Sequence, residues 1–205
     1  MNIHIQGNHP TLCIVAGTHG DEYGVIASAE KTIQTYAHLL PDFVWIPEIS
    51  PSAVARKTRK NTDEVDVNRS FQDSSLLKEV VDVMEAVRKF HFTTVMNFHE
   101  DVELNTFYCY DTGSNPPSGW DPLCATLSKL GIPLLNGVDD PKDPVLGYTF
   151  KDGYCSYTPT RDGSLESWMH MHGLAERIFT PEIPGRLTPK LKDAVVDAIF
   201  SCLIL

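Results

Sequence analysis

The sequence predicts an α/β protein: one domain over residues 1–205, built on a mixed, mostly parallel β-sheet with helices on both faces. Three observations carry that expectation. Short β-branched or aromatic runs alternate with stretches of helical hydrophobic spacing through the first half of the chain, which is the pattern of strand–helix–strand units. The 205 residues, 42% of them hydrophobic, suffice for a sizeable core, and no Pro/Gly/Ser-rich linker divides them. The apolar run Cys13–Ala16 stops abruptly at Gly17-Thr18-His19-Gly20, and in open α/β sheets such carboxyl ends line the crevice where ligands collect.

Each element has its own warrant. Leu12–Ala16 reads as a buried strand, and Val25, Ile26, Ala29, Ile33, Tyr36, Ala37 and Leu40 then recur at helical spacing until Pro41 closes the helix. Phe43–Ile46 is a second short strand, and Ile49–Ala55 leads into the polar basic segment Arg56–Asn61, read as a solvated loop. Ser74 is placed to cap a helix whose apolar face runs Leu77, Val80, Val81, Met84 and Val87. Phe92–Met96 follows as a buried strand with His99 and Glu100 at its carboxyl end. From Asp111 to Pro144 the Gly, Pro and Asp content predicts mostly loop, with one helix near Pro122–Leu130. Ser164 caps a helix through Leu165, Trp168 and Met169 that Gly173 terminates, and Arg177–Thr180 is a strand delivering Glu182. Thr188 and Pro189 open a last helix with Leu191, Val195, Ala198, Ile199 and Leu203 facing inward.

Composition narrows the function. A formal net charge of −10, from 17 Lys+Arg against 27 Asp+Glu, argues against nucleic acid as a partner. The five cysteines are an odd number without a C-x-x-C pair, so they suggest neither a disulfide framework nor a thiolate zinc site, and they read as small core residues. The N-terminus has no signal-like segment and no run approaches the ~18 apolar residues of a membrane span, so the expected location is the cytoplasm, with no membrane partner.

Polar groups gather at three strand ends: His19 with Glu22, His99 with Glu100, and Glu182. Taken alone, His19-x-x-Glu22 is most often a surface turn, and so is Asp66-Val67-Asn68-Arg69, in which strand alternation would set Asp66 and Asn68 on one side and Arg69 on the other. Together, two His and one Glu form the ligand set of a catalytic zinc with an open fourth position.

The combination Gly17-Thr18-His19-Gly20-Asp21-Glu22, Ser50–Val54 leading through Thr58-Arg59 to Asp66–Phe71, Asn97-Phe98-His99 and Phe179-Thr180-Pro181-Glu182 resembles the zinc carboxypeptidase superfamily, in its succinylglutamate desuccinylase/aspartoacylase branch. The resemblance implies one zinc ion held by His19, Glu22 and His99, with Asp66 as the carboxylate behind a ligating imidazole. It implies that Arg69 with Asn68 anchors a substrate carboxylate, a task suited to the guanidinium fork. Arg59 would polarise the scissile carbonyl, and Glu182 would act as general base toward a zinc-bound water. Tyr157, or else Tyr154, is the candidate to cover the substrate.

The sequence departs from the family pattern at Asn97, where an Asp often stands, and at its end, Leu205, where aspartoacylase-like enzymes continue into a β-rich domain; an open cleft is therefore expected. Glu100 and Asp101 read as solvated, and His91, His170 and His172 as surface or helix-face residues. The leading function is hydrolysis of an amide bond near a free carboxylate, as in a metallocarboxypeptidase acting on a peptide or small molecule. The alternatives are an N-acyl amino-acid deacylase and, from another class, a catalytically silent metal-binding scaffold. Retention of Glu182 and both arginines disfavours the scaffold, which needs no proton shuttle.

Overall fold

Alternation along the strands organises the molecule. Leu12 and Ile14 enter one hydrophobic core with Phe43 and Trp45, while Cys13 and Val15 enter another with Val44 and Ile46. A strand that is apolar on both faces must be covered on both. The computed structural model describes residues 2–140, 142 and 147–205. Its strands are β1 (His4–Gln6), β2 (Leu12–Val15), β3 (Phe43–Ile46), β4 (Phe92–Asn97), β5 (His99–Asp101), β6 (Tyr108–Asp111), β7 (Gly137–Val138), β8 (Thr149–Phe150), β9 (Tyr154–Ser156) and β10 (Ala175–Pro184). The helices are α1 (Gly24–Tyr36), α2 (Pro51–Arg56), α3 (Lys78–Val87), α4 (Trp120–Lys129), α5 (Leu165–Met171) and α6 (Pro189–Ile199).

The main sheet runs β1-β3-β2-β4-β10-β6-β9, with β5 also beside β10. Its centre is parallel, β3 with β2, β2 with β4 and β4 with β10, whereas β1 and β6 join antiparallel. Helices α1, α4 and α6 cover one face through Val25, Ala29, Leu123, Leu127, Val195 and Ile199. Helices α3 and α5 cover the other through Val80, Val83, Val87, Leu165 and Trp168. The expected mixed, mostly parallel sheet with helices on both faces is the fold observed. Among the described residues, no helix is long and apolar enough to cross a membrane.

Several local expectations need correction. Helix α1 ends at Tyr36, short of Pro41, because the chain turns at Leu39 and Leu40 with their amides bonded to the Tyr36 carbonyl. The first residue of α3 is Lys78 and Leu77 stands at its cap, so Ser74 caps nothing. The segment after Ile49 contains α2, with Pro51 in the first turn where its missing N–H costs nothing. β10 extends to Pro184 and so includes Glu182. The residues between Asp111 and Pro144 are mostly irregular, with α4 where the helix was expected; of these, Pro141, Asp143 and Pro144 lie outside the described residues. Ser164 and Thr188 do cap their helices, each side chain accepting from the backbone three residues on. All five cysteines are free; Cys13, Cys109 and Cys155 are buried, and Cys124 and Cys202 are half-buried.

Candidate metal centre

The turn after β2 is shaped to deliver two side chains at once. The Gly20 amide bonds the Thr58 carbonyl at 3.0 Å, and a Cβ on Gly20 would fall 1.9 Å from the Ala53 carbonyl oxygen, so only glycine lets α2 press on this turn. The following short 3₁₀ turn, Gly20–Glu22, buries Glu22 opposite His19. β4 breaks at Phe98, whose amide bonds the Val15 carbonyl at 2.9 Å, and this sets His99 on β5 beside the β2 end.

His19, Glu22 and His99 offer donor atoms that all lie within 4.8 Å of one another. They are 4, 6 and 3% exposed. His19 Nδ1 lies 2.6 Å from Glu22 Oε1 and His99 Nδ1 lies 2.7 Å from Glu22 Oε2, so the carboxylate is gripped between two imidazoles. The outer nitrogen of each ring faces another carboxylate: His19 Nε2 is 3.3 Å from Asp66 Oδ1, and His99 Nε2 is 3.7 Å from Glu166 Oε1. Carboxylates accept only, so the close contacts with Glu22 set protons on both inward-facing Nδ1 atoms, and His19 Nε2 also donates to Asp66, while His99 Nε2 stands at ion-pair distance from Glu166 without a hydrogen bond.

The electrostatics follow from this packing. Burial lowers the pKa of His99, but Glu22 and Glu166 more than reverse it, leaving the imidazole well above its ordinary value. His19 is likewise raised, burial being outweighed by Glu22 and Asp66. Burial opposes ionisation of Glu22, Asp66 and Glu166 too, yet their imidazole neighbours hold all three below the usual carboxylate range, Glu166 down to about 2. Protons gripped by inward-facing nitrogens between acidic neighbours are those that a divalent cation would displace, and two nitrogens with one carboxylate match the preferences of zinc.

Glu182 stands apart from this cluster in charge and next to it in register. On β10 it is the partner of His99 on one side and of Tyr108 on the other, so base candidate and ligand candidate lie on adjacent strands. Burial first, and then the charges of Glu22, Asp101 and Glu166 against that of His99, push its pKa well above the ordinary carboxylate value.

Arg59 Nε donates to Asp66 Oδ2 at 3.1 Å, and its Nη1 lies 3.8 Å from Glu22 Oε1, over the ligand cluster. Asp66 caps the 3₁₀ turn Val67–Arg69, which holds Asn68 and Arg69, so the strand alternation expected there does not apply and all three line one cleft. Asn68 Oδ1 accepts from the Leu165 amide at 3.0 Å, pinning the turn to the start of α5. A Cβ on Gly163 would fall 2.4 Å from the Arg69 carbonyl oxygen, which requires glycine at that contact.

The cleft has a volume of about 850 Å³. Tyr157 lines it together with Tyr108, Tyr110 and Tyr148. Tyr154 does not: its hydroxyl donates to Asp111 Oδ2 at 2.8 Å, and its ring packs on Trp120. Glu100 is not solvated as expected, while Asp101 is half-buried at the cleft. Glu100 is 3% exposed, accepts from the Gly24 amide at 2.8 Å and pairs with the buried Lys192; Asp101 accepts from the Tyr108 hydroxyl at 2.6 Å. His172 bridges the Trp168 carbonyl and Asp73, away from the site.

Glu166 is the site residue that sequence reasoning missed. An acid two positions after a helix cap reads as an ordinary partner of the helix dipole. The only hint lay elsewhere, in the charge absent at Asn97.

Residues 8–160 match the family described as succinylglutamate desuccinylase/aspartoacylase catalytic domain. Among solved structures, a Shewanella denitrificans protein assigned as a metallopeptidase superposes with a TM-score of 0.77 at 20% identity, over 98% of this chain and 79% of that one. A succinylglutamate desuccinylase from Silicibacter gives 0.60 at 15% identity, over 99% and 60%. A murein-tripeptide amidase of Escherichia coli O157 gives 0.59 at 17%, over 95% and 80%. No curated protein matches the sequence.

Proposed function

The chain belongs to the succinylglutamate desuccinylase/aspartoacylase catalytic-domain family, a hydrolase family, and from that premise we propose that it is a zinc-dependent hydrolase cleaving an amide bond beside a free carboxylate, in the manner of a metallocarboxypeptidase. The observation that carries the reading is the convergence of His19, Glu22 and His99 beside Glu182, in one cleft with Arg59 and Arg69. Bound by the three side chains, zinc supplies Lewis acidity, polarising the scissile carbonyl and acidifying water.

The protein's own groups do the rest. Glu182 takes a proton from the attacking water on its carboxylate and passes it to the departing nitrogen, a role supported by its register beside His99. Arg59, aimed over the ligand cluster, stabilises charge developing on the carbonyl oxygen. Arg69 anchors the substrate carboxylate with Asn68, whose turn is fixed by its bond to α5. Tyr157 and its aromatic neighbours close the side of the cleft. The family match favours a second reading, deacylation of an N-acyl amino acid, in which the same groups act but the anchored carboxylate lies on the other side of the amide.

The test is turnover of short peptides and N-acyl amino acids, each as free acid and as amide, by zinc-supplemented wild type and Arg69→Ala. Hydrolysis of the free acids is expected, with at least a tenfold loss of kcat/KM in the variant, because a charge-assisted pair is worth about 1.5–3 kcal/mol. Equal hydrolysis of acids and amides by wild type would remove the role of Arg69, and no turnover of either class would favour the silent scaffold.

A further inference from the structure

A carboxylate stands behind each imidazole of the site, and the two arrive by different routes. Asp66 faces His19 from the motif that the sequence itself marks. Glu166 faces His99 from α5, which no part of the motif includes. Glu166 is only 4% exposed. The Asn97 amide nitrogen and the Thr180 hydroxyl both donate to Oε1, the oxygen that faces His99 Nε2. Glu166 Oε2 and His99 Nε2 have no hydrogen-bond partner among the described residues.

Burying a carboxylate is costly unless a cationic or strongly donating partner compensates it. Asn97 and Thr180 supply neutral donors, and the group at ion-pair distance is His99. Asn97 then has a purpose of its own: an aspartate there would set two carboxylates against each other, whereas the amide donates and holds Glu166 in place.

We propose that Glu166 is the positioning carboxylate of His99, accepting from its Nε2–H so that Nδ1 turns its lone pair to the metal site, and that it takes over the charge absent at Asn97. The proposal rests on the reading of His19, Glu22 and His99 as zinc ligands. A carboxylate behind a ligating imidazole fixes its tautomer and raises its basicity, and loss of such a partner usually costs 10–100-fold in metal affinity.

The experiment measures zinc affinity by competition with a chromophoric chelator for wild type, Glu166→Gln and the double variant Asn97→Asp/Glu166→Gln, alongside the melting temperature of each metal-free protein. Glu166→Gln is expected to bind zinc about 10–100-fold more weakly while remaining folded. The double variant, which returns a carboxylate from β4, is expected to recover at least part of that loss; a merely structural role for Glu166 would give no such rescue. Equal affinity in wild type and Glu166→Gln would overturn the proposal and leave the zinc site standing, as would a double variant no tighter than the single one. A wild type that takes up no zinc would defeat the site reading itself, and this proposal with it.

Discussion

The two sides of β10 are built on different principles. Toward β4 and β2 the sheet is parallel; β2 is wholly apolar and buried, and β4 is buried at Phe92 and from Val95 to Asn97. On that side the backbone register itself brings His99 next to Glu182. Toward β6 and β9 the sheet continues through an antiparallel step into an aromatic wall, in which Tyr108, Tyr110, Tyr148, Phe150 and Tyr157 meet edge to face with ring centroids 4.9 to 5.8 Å apart. Two hydroxyls of that wall are tied to acids, Tyr108 to Asp101 and Tyr110 to Asp139. Donors to a metal must be held to within fractions of an ångström, which strand ends can do; a wall that shapes a substrate can be assembled from side chains and varied without moving them.

Glu182 lies on the seam, so its replacement tests the division most severely. Glu182→Gln should retain fold and zinc while kcat falls by about 10²–10⁴, the usual size of a general acid–base contribution. Its stability carries a sign as well. A carboxyl whose pKa is raised on folding contributes stability that is fully present below the unfolded value of ~4.3 and is lost as pH rises through the folded one. Freed of metal, the Gln variant, which cannot ionise, should therefore melt no lower than metal-free wild type at neutral pH. A variant that lost its zinc would make Glu182 a ligand and place the seam inside the metal half.

The same division separates what was legible in the sequence from what was not. In the parallel half, β2, β4 and β10 each carry an apolar stretch that leads to candidate residues, so the chain order His19, Glu22, His99, Glu182 could be read directly, and the sheet with it; β3 ends in none. In the other half, β6 and β9 are brief stretches of Tyr and Cys among Gly, Pro and Asp, with no alternation to mark them. Glu166 was illegible for a different reason. Its meaning depends on Asn97 and Thr180, which reach it only across the fold. Glu100 was misread because its partner, Lys192, comes from the last helix.

A smaller effect is expected in the aromatic wall. Tyr157→Phe should raise KM by about two- to tenfold, in keeping with ~0.5–1.5 kcal/mol for one hydrogen bond, and leave zinc content unchanged. Zinc loss in this variant would show that the two halves are not separable.

The central claim is that His19, Glu22 and His99 hold one zinc ion, and elemental analysis tests it most directly. Wild type purified with zinc and freed of loosely bound metal should carry one equivalent per chain, and His19→Ala and His99→Ala should each lose most of it, since either change leaves two of the three ligands. Equal metal in wild type and both variants, or none in any of them, would contradict the account.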